Sequence, residues 1–257
     1  MKRFVLIMLA ALLSAVLTAL FSLPAAWLAP VVERQTAGRL TLGDPEGSLW
    51  QGAAFLGVAY DANAPVTPVL PGRFRWTLSP WLLLGWVDAR IDNPEALKNT
   101  LTVSGRWNEW QLGPVTLQMP AQRLAALGAP LNTLQPTGQM QLSWSGLRVR
   151  RSGNQLDVEG SMLLELTDIA SALSPVKPLG AYRLQFDWRG ARAQLTLGTL
   201  SGPLRLEGTG AIEHGRLHFS GLAWAQPGQE QRLAILLNLL GQRRQVGNRN
   251  VIALEFQ

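Results

Sequence analysis

Strict alternation of apolar and polar residues is the feature that most constrains the fold of this chain. In residues 72–79, the apolar residues Phe74, Trp76 and Leu78 alternate with arginine and threonine. The same period of two recurs at 115–119, 139–145, 156–158, 182–189, 204–206, 217–219 and 252–256. Side chains of a β-strand point to opposite faces in turn, so the pattern predicts half-buried strands. Doubly covered parallel strands would be apolar throughout, so we expect an antiparallel sheet.

Glycine-containing turn signals separate the alternating segments at short intervals. They are Ser104-Gly105, Gly113-Pro114, Ser145-Gly146, Ser152-Gly153, Arg189-Gly190, Ser201-Gly202 and His214-Gly215. Many short strands with close glycine turns indicate an all-β meander in which hairpin follows hairpin.

A weak internal repeat lies within the meander. Residues 136–144 and 178–186 share the pattern P-x-G-x-Φ-x-L, where Φ is apolar, and a fainter copy begins at Pro71-Gly72. Two interpretations remain open. The sheet grows by adding similar hairpins, or unrelated turns have converged on the same residues.

Helix is predicted in two short segments downstream of residue 100. Residues 120–128 begin with proline and end with glycine, the asymmetry of a short helix. Residues 229–240 place Leu233, Leu236, Leu237 and Leu240 at helical spacing, and Gly241 follows where a C-cap belongs. We expect this second helix to close one end or one face of the sheet.

The amino-terminal segment predicts a membrane anchor. Lys2 and Arg3 precede the charge-free stretch 4–23, and no further charge occurs before Glu33. A helix of that length reaches roughly 30 Å, the thickness of the hydrocarbon core of a bilayer. The basic residues before it predict a cytoplasmic amino terminus. We therefore expect a cytoplasmic tip and transmembrane anchor in 1–30 and a periplasmic β domain in 31–257.

A cleaved signal peptide is the alternative interpretation of this segment. Its apolar region would be shorter and would end in an Ala-x-Ala site, a pattern absent from the first 30 residues. These two features favour a retained anchor. Trp27 suits the outer membrane–water interface, although core packing explains it nearly as well.

Charge and composition exclude several classes of protein. The net charge is +6, from 23 basic and 17 acidic residues, and Lys2 and Arg3 supply part of the excess. The remaining basic residues are spread along the chain without a nucleic-acid-binding motif, so no nucleic acid partner is predicted. The chain has no cysteine, which excludes disulfides, thiol catalysis and cysteine-based metal sites.

The sequence predicts neither an enzyme nor a cofactor. His214 and His218 are the only histidines, and a zinc site would need a third ligand that nothing nearby offers. The carboxylate pairs Asp44/Glu46 and Asp157/Glu159 are better explained as solvated strand or turn positions. No nucleophile elbow, phosphate-binding loop or dinucleotide fingerprint is present.

One short motif stands out before the first alternating strand. It is Gly47-Ser48-Leu49-Trp50-Gln51-Gly52, in which glycines flank a tryptophan and two small residues follow. We interpret it as a structural turn with Trp50 in the core, and a partner contact at Trp50 is the alternative. The chain has ten tryptophans, which predicts an apolar surface built largely of wide rings.

The chain resembles the type II secretion system protein N family in the order of its segments. These segments are the basic amino end, the apolar stretch, this hexapeptide, the strand ending Trp76-Thr-Leu-Ser-Pro80 and the late segment Leu239-Leu-Gly241. The resemblance implies an accessory inner-membrane protein, single-pass with its bulk in the periplasm, in the pathway that exports folded proteins across the outer membrane. It implies the inner-membrane platform or the secretin as partners, and it carries no catalytic residues. The chain also looks akin to AsmA-like proteins, whose hairpins build a β groove for lipid.

The predicted fold is therefore mainly β. An N-terminal transmembrane helix precedes an elongated, twisted antiparallel sheet, shaped as a half-pipe or groove, with a few short helices. By parity one face carries the candidate apolar binding residues: Phe74, Trp76, Met140, Leu142, Trp144, Tyr182, Leu184, Phe186 and Trp188. Because few helices are available to cover this face, lipid of the inner membrane is a predicted ligand, and a lipid-transfer groove is the alternative function.

Overall fold

The alternating segments form a single 17-stranded antiparallel sheet in the computed structural model. The structure describes residues 4, 7–9, 11, 14, 18, 20–36, 38, 40–58, 67–68, 70–127, 131–153, 155–213, 215–246 and 249–256. The strands are β1 Leu40–Gly47, β2 Gln51–Val58, β3 Thr67–Pro68, β4 Phe74–Leu78, β5 Trp86–Asp92, β6 Leu101–Arg106, β7 Glu109–Leu112, β8 Val115–Pro120, β9 Pro136–Trp144, β10 Leu147–Ser152, β11 Gln155–Ser171, β12 Gly180–Gly190, β13 Arg192–Ser201, β14 Leu204–Glu213, β15 Arg216–Ala225, β16 Gln242–Val246 and β17 Arg249–Phe256.

Each strand pairs mainly with its neighbours in sequence, which makes the sheet a long meander. Pairing runs from β1 through β2, β4, β5, β6 and β7 to β10 and β11, and then through β12, β13 and β14 to β15. At the far end the order reverses once, because β17 lies between β15 and β16. Within the described residues, β1 and β16 are the two edges of an open sheet. The prediction of a mainly β, antiparallel fold is confirmed.

Two of the predicted turns are bends within longer strands. Gly113-Pro114 separates β7 from β8, and Ser145-Gly146 separates β9 from β10, yet the chain continues in the same direction in each case. Because of these bends, the 17-residue β11 pairs with β10 at its start and with β9 along its later part. Proline lacks the N–H that a central strand needs, which explains the interruption at 114.

The turn predicted at Ser104-Gly105 is wrong, because both residues lie inside β6. Gly105 has a φ of 145°, and a Cβ there would stand 3.0 Å from the Cα of Trp110 on the paired strand. The glycine therefore permits a close approach of two strands rather than a reversal. The signals at Ser152-Gly153, Arg189-Gly190 and Ser201-Gly202 do mark hairpin ends, whereas His214 lies outside the described residues.

The repeat corresponds to two strands that flank β11 in the same register. Leu164 pairs with Leu142 of β9 on one side and with Leu184 of β12 on the other. Met162 likewise lies between Trp144 and Phe186. Equivalent positions of the two copies thus contact the same residue of the central strand. This arrangement favours repeated hairpins over converging turn chemistry.

The described helices after residue 24 are few and short. They are α1 Leu28–Gln35, α2 Leu131–Leu134 and α3 Glu230–Leu240, with 3-10 helices at Ala25–Trp27, Pro80–Leu84 and Ala121–Leu127. The predicted helix at 229–240 is confirmed as α3, and the one at 120–128 is a 3-10 helix whose predicted terminal glycine lies outside the described residues. Gly241 follows α3 with a φ of 168°. Gly241 therefore occupies the predicted C-cap position, and its backbone there is extended.

Of the predicted spanning helix at 4–23, residues 5, 6, 10, 12, 13, 15–17 and 19 lie outside the described set, and the described residues from 4 to 21 are helical. Within the described part of the chain, no helix combines the length and apolar character needed to cross a bilayer. Residues 20–36 are described without a gap. The chain passes Pro24, which forms a bridge with Ser48, and then continues through α1, which packs against the edge strand β1.

Candidate functional site

The hexapeptide Gly47–Gly52 forms the tight connection between β1 and β2. Gly47 has a φ of 83°, a left-handed conformation that glycine adopts without steric cost. Ser48 stabilises the turn, because its hydroxyl accepts a hydrogen bond from the backbone N–H of Gln51 at 3.1 Å. The predicted structural turn is therefore present, and it projects Leu49 and Trp50 from one end of the sheet.

Trp50 fastens this turn to the amino-terminal segment. Its side chain is only 5% exposed, and its indole N–H donates to the carbonyl oxygen of Leu20 at 2.9 Å. The ring centroid lies 6.2 Å from that of Phe21. The backbone N–H of Leu49 also donates to the carbonyl oxygen of Leu23 at 2.7 Å. The tryptophan is thus a core residue whose partners come from the end of the apolar amino-terminal stretch.

The second glycine of the motif makes room for another tryptophan. Gly52 pairs with Trp76 of β4, and a Cβ at Gly52 would stand 2.5 Å from Cζ2 of that indole. The indole N–H of Trp76 donates to the carbonyl oxygen of Leu49 at 3.0 Å. Packing therefore requires glycine at position 52. Trp50 and Trp76 both stabilise the turn, through their hydrogen bonds to Leu20 and Leu49.

A family model for protein N of the type II secretion system matches residues 38–251, most of the sheet. This chain belongs to the type II secretion system protein N family. The resemblance noted from the sequence is confirmed at that level. Searches of curated proteins and of solved structures returned no significant match. Members of the protein N family are accessory components of secretion, so the match supports an accessory role and association with other secretion components.

The strand register carries the predicted apolar residues onto one face of the protein N sheet. Trp76 pairs with Ile91, which pairs with Leu101, and parallel rows of apolar pairs continue across the sheet. Equivalent rows run through β9, β11 and β12, as Trp144–Met162–Phe186 and Leu142–Leu164–Leu184. We call this surface the apolar face, defined by the nine residues predicted above and the apolar residues in register with them.

Helix α3 covers only one part of the apolar face. Leu233 and Leu236 are buried on Val176, Leu179 and Leu204. Next to them Leu195, Phe219, Ala223, Ile252 and Leu254 form a second buried cluster, against which Leu184 and Phe186 pack. Met140 and Tyr182 are also buried. Phe74, Trp76, Leu142, Trp144 and Trp188 remain half-buried.

Tyr182 marks the boundary of the covered part. It is 2% exposed, and its hydroxyl donates to the carbonyl oxygen of Leu204 at 3.1 Å. Removal from water disfavours the charged phenolate, so burial raises the pKa of Tyr182 above its ordinary value. The side chain therefore acts as a neutral hydrogen-bond donor inside the sheet.

Cross-strand ion pairs and hydrogen bonds line the opposite, polar face. Arg183 contacts Glu165 at 2.7 Å, and Arg148 lies within ion-pair distance of both Glu109 and Glu159. Such exposed pairs are each worth little, about 0–1 kcal/mol. Hydrogen bonds from Ser161, and then from Gln185, lower the pKa of Asp187 on this face. These residues keep one side of the sheet wet while the other remains apolar.

Three of the four candidate carboxylates, Asp44, Glu46 and Glu159, form surface ion pairs. Asp44 and Glu46 both contact the guanidinium of Arg73. The hydrogen bond to Glu46 is the main cause of a raised pKa for Arg73. Of the other pair, Glu159 faces Arg148. His218 is exposed, and no group of three or more potential ligands among the described residues could hold a metal ion.

Sequence reasoning missed the segment between β4 and β5. Pro80–Leu84 is a 3-10 helix in which the Ser79 hydroxyl accepts from the backbone N–H of Trp81, and Gly85 ends it in a left-handed conformation. The side chains of Trp81, Leu83 and Leu84 are exposed. The signal was available, because the run Trp81-Leu-Leu-Leu-Gly-Trp86 breaks the period of two within an otherwise alternating chain.

Proposed function

We propose that this protein N family member is an accessory inner-membrane component of the type II, or general, secretion pathway, which exports folded proteins across the outer membrane. In this proposal residues 4–23 span the inner membrane once and the sheet lies in the periplasm. The attachment of the hexapeptide turn to Leu20 and Leu23 is the observation that carries it. A turn fastened to the end of an apolar segment sets how the sheet sits relative to that segment.

The charge pattern of the amino terminus supports the topology. Lys2 and Arg3 precede the apolar stretch, and the stretch itself carries no charge, which favours a cytoplasmic start. The mature protein is expected to keep Met1 and to remain in the membrane fraction after carbonate washing. Amino-terminal sequencing that began between Ala26 and Val32 would instead establish a cleaved leader.

A secretion assay tests the role itself. In cells with an active pathway, loss of this chain should leave exported proteins folded in the periplasm, because an accessory component acts after substrate folding. The wild-type gene should restore their release into the medium. Normal secretion in its absence would contradict the proposal, whatever the result of the topology experiment.

The platform and the secretin are the partners that we propose for this component. Among the described residues, the polar face and the outer edge of β16 are the surfaces open to them. The residues Gln242, Arg243, Arg244 and Gln245 of β16 are exposed, and Arg244 contacts Glu255 of β17. Cross-linking from Arg243, compared with cross-linking from Thr196 on the polar face, would identify which surface meets which component.

A lipid-binding groove, in the manner of AsmA-like proteins, is a second candidate function. The observation that favours it is the half-buried part of the apolar face, where α3 provides no cover. Exposed apolar patches of more than a few hundred Å² usually mark a binding surface. In this proposal the uncovered face holds acyl chains of inner-membrane lipid.

Lipid analysis of matched variants separates the groove from a scaffold. Trp144→Asp and Leu142→Asp should remove co-purified lipid from the full chain, whereas Thr196→Asp on the polar face should not. All these proteins retain the same amino-terminal segment, so lipid bound there cancels from the comparison. If the wild type and the apolar-face variants carry equal lipid, the groove is excluded and a scaffold remains.

A further inference from the structure

The large exposed apolar residues of the sheet are concentrated at one of its two ends. The turns after β1, β4, β6, β10, β12 and β14 all lie at the same end, because antiparallel neighbours reverse there in register. We call this end the proximal rim. It contains the hexapeptide turn, which is bonded to Leu20 and Leu23. The opposite end, or distal rim, contains the connections after β5, β8, β11, β13 and β15.

Ordered loops hold apolar side chains in water on the proximal rim. Trp81 is 64% exposed, Leu84 69% and Trp107 60%. The indole N–H of Trp107 donates to the carbonyl oxygen of Leu82 at 2.7 Å, and its backbone N–H donates to Gly85 at 3.2 Å. Two neighbouring turns are therefore bonded into one tip. Their apolar side chains project from a fixed backbone.

The four exposed tryptophans lie at the proximal rim. They are Trp27, Trp81, Trp86 and Trp107. Trp27 follows Pro24, which forms a bridge with Ser48 of the hexapeptide turn, and the other three belong to the tip. Tryptophan concentrates at membrane–water interfaces, where its ring lies among headgroups and its N–H remains hydrogen-bonded. Several exposed indoles at one end of a sheet are typical of a surface that lies at a membrane–water interface.

Arginine accompanies these rings on the proximal rim. The guanidinium of Arg106 lies 4.7 Å from the centroid of the Trp86 ring. Exposed arginines also occur at the following hairpin ends, namely Arg151, Arg189, Arg192 and Arg216. The acidic residues next to the turns of this rim are Glu46, Glu109 and Glu213, and Glu213 is paired with Arg192 at 3.7 Å. The guanidinium fork matches phosphate geometry, and basic residues are attracted to anionic headgroups. The rim thus combines apolar side chains with a positive excess.

We propose that the proximal rim lies on the periplasmic surface of the membrane that holds the amino-terminal segment, with Trp81, Leu83, Leu84, Trp86 and Trp107 inserted at the headgroup level. The inference rests on the proposed anchor, because the tether at Trp50 keeps this end of the sheet next to the bilayer. The hydrogen bond from the backbone N–H of Leu78 to the carbonyl oxygen of Trp50, 2.7 Å long, joins the tether to the tip. The sheet would then rise from the membrane with its distal rim outermost.

Single-cysteine labelling tests the proposal in the full chain. The natural sequence has no cysteine, so Leu84→Cys gives one site for an environment-sensitive nitrobenzoxadiazole dye. The matched control is Leu200→Cys, an exposed leucine near the distal end of β13. Each labelled protein is reconstituted into vesicles of phosphatidylethanolamine and phosphatidylglycerol that contain brominated lipid.

The dye at position 84 should shift its emission to the blue and lose most of its intensity to the bromine quencher, while the dye at 200 should change little. Vesicle flotation is measured first. A chain that does not float contradicts the anchor. A chain that floats, but whose dye at 84 stays unquenched, contradicts rim insertion alone and leaves the rim for a protein partner. Should Leu84→Cys fail to fold, Leu83→Cys on the same 3-10 helix decides the question.

The contribution of the arginines to membrane binding is tested separately, by changing the charge of the lipid. With phosphatidylcholine in place of phosphatidylglycerol, quenching at position 84 should fall, because the attraction to anionic headgroups is lost. Unchanged quenching would overturn the contribution of Arg106 and its neighbours. Arg106→Gln in phosphatidylglycerol vesicles should produce a smaller fall in the same direction.

Discussion

The apolar face has two regions that share one pattern and differ in their cover. Under α3, the leucine and phenylalanine side chains of β13, β15 and β17 are buried in two adjoining clusters. Over β4 and β9, the same alternation leaves Phe74, Trp76, Leu142 and Trp144 half-buried. Alternation therefore determines which face a side chain is on, and the position of one helix determines how far it is buried.

The two regions are also held together differently. The covered region has a conventional core, in which Leu233 of α3 is 0% exposed. In the uncovered region, the described helix that contacts β9 is the short 3-10 helix Ala121–Leu127 rather than an α-helix. It depends on tryptophans that fix local turns through hydrogen bonds, as Trp50 does with Leu20 and Trp76 with Leu49. Removing one wide ring from that region should cost as much as removing a core residue elsewhere.

The largest effect is expected for Trp50→Ala. The change leaves a cavity beside Phe21 and should lower the free energy of unfolding by about 3–5 kcal/mol. Urea titration followed by circular dichroism measures this loss, and secretion should fail in step with it. Trp50→Phe is the control, which keeps much of the ring volume but loses the hydrogen bond to Leu20, worth about 0.5–1.5 kcal/mol. A stable Trp50→Ala protein that nevertheless blocked secretion would identify Trp50 as a partner contact.

Leu233→Ala should come next, with a loss of about 2–5 kcal/mol in the free energy of unfolding, because the side chain is fully enclosed between α3 and the sheet. Ile235→Ala on the same helix is the matched control. That side chain is 72% exposed, and its removal should change stability by about 0.5 kcal/mol at most. Equal losses for the two variants would mean that α3 is not bound to the sheet as described.

Leu142→Ala sharpens the comparison from the uncovered side. Burial of a CH₂ group contributes about 0.8 kcal/mol, and only part of this half-buried side chain is enclosed. We therefore expect the free energy of unfolding to fall by about 1 kcal/mol. The quantity to compare is the urea midpoint relative to that of Leu233→Ala. A loss as large as the one at Leu233 would show that something covers this region in solution.

The smallest effect concerns pH and the polar face. Because the pKa of Asp187 is lowered in the folded state, its charged form adds stability above the ordinary carboxyl pKa of about 4. That contribution should disappear as the pH falls from about 4 through the lower folded-state pKa. Asp187→Asn should therefore flatten the acid limb of stability against pH, with little change at neutral pH. An unchanged acid limb would show that the hydrogen bonds from Ser161 and Gln185 do not hold the carboxylate.

Much of the fold followed from local rules. The antiparallel sheet, helix α3 and the turn at Gly47–Gly52 were predicted from periodicity and glycine placement, and the structure contains each of them. The errors occurred where a glycine serves packing. Gly105 lies inside β6, where the paired strand comes too close for a side chain. From the sequence alone, a glycine needed for such close packing looks the same as a glycine that signals a turn.

The sequence by itself determined the side-chain parity of this protein, since the period of a strand is two whatever its surroundings. It also determined the repeat, whose copies flank β11 in equal register because strands with the same pattern meet the same partner in the same way. Only the tertiary structure decided which part of the apolar face α3 covers, that Trp50 binds the backbone of Leu20, and that the exposed tryptophans share one rim. Those outcomes depend on contacts between residues distant in sequence, which pairing and packing bring together and which no local pattern encodes.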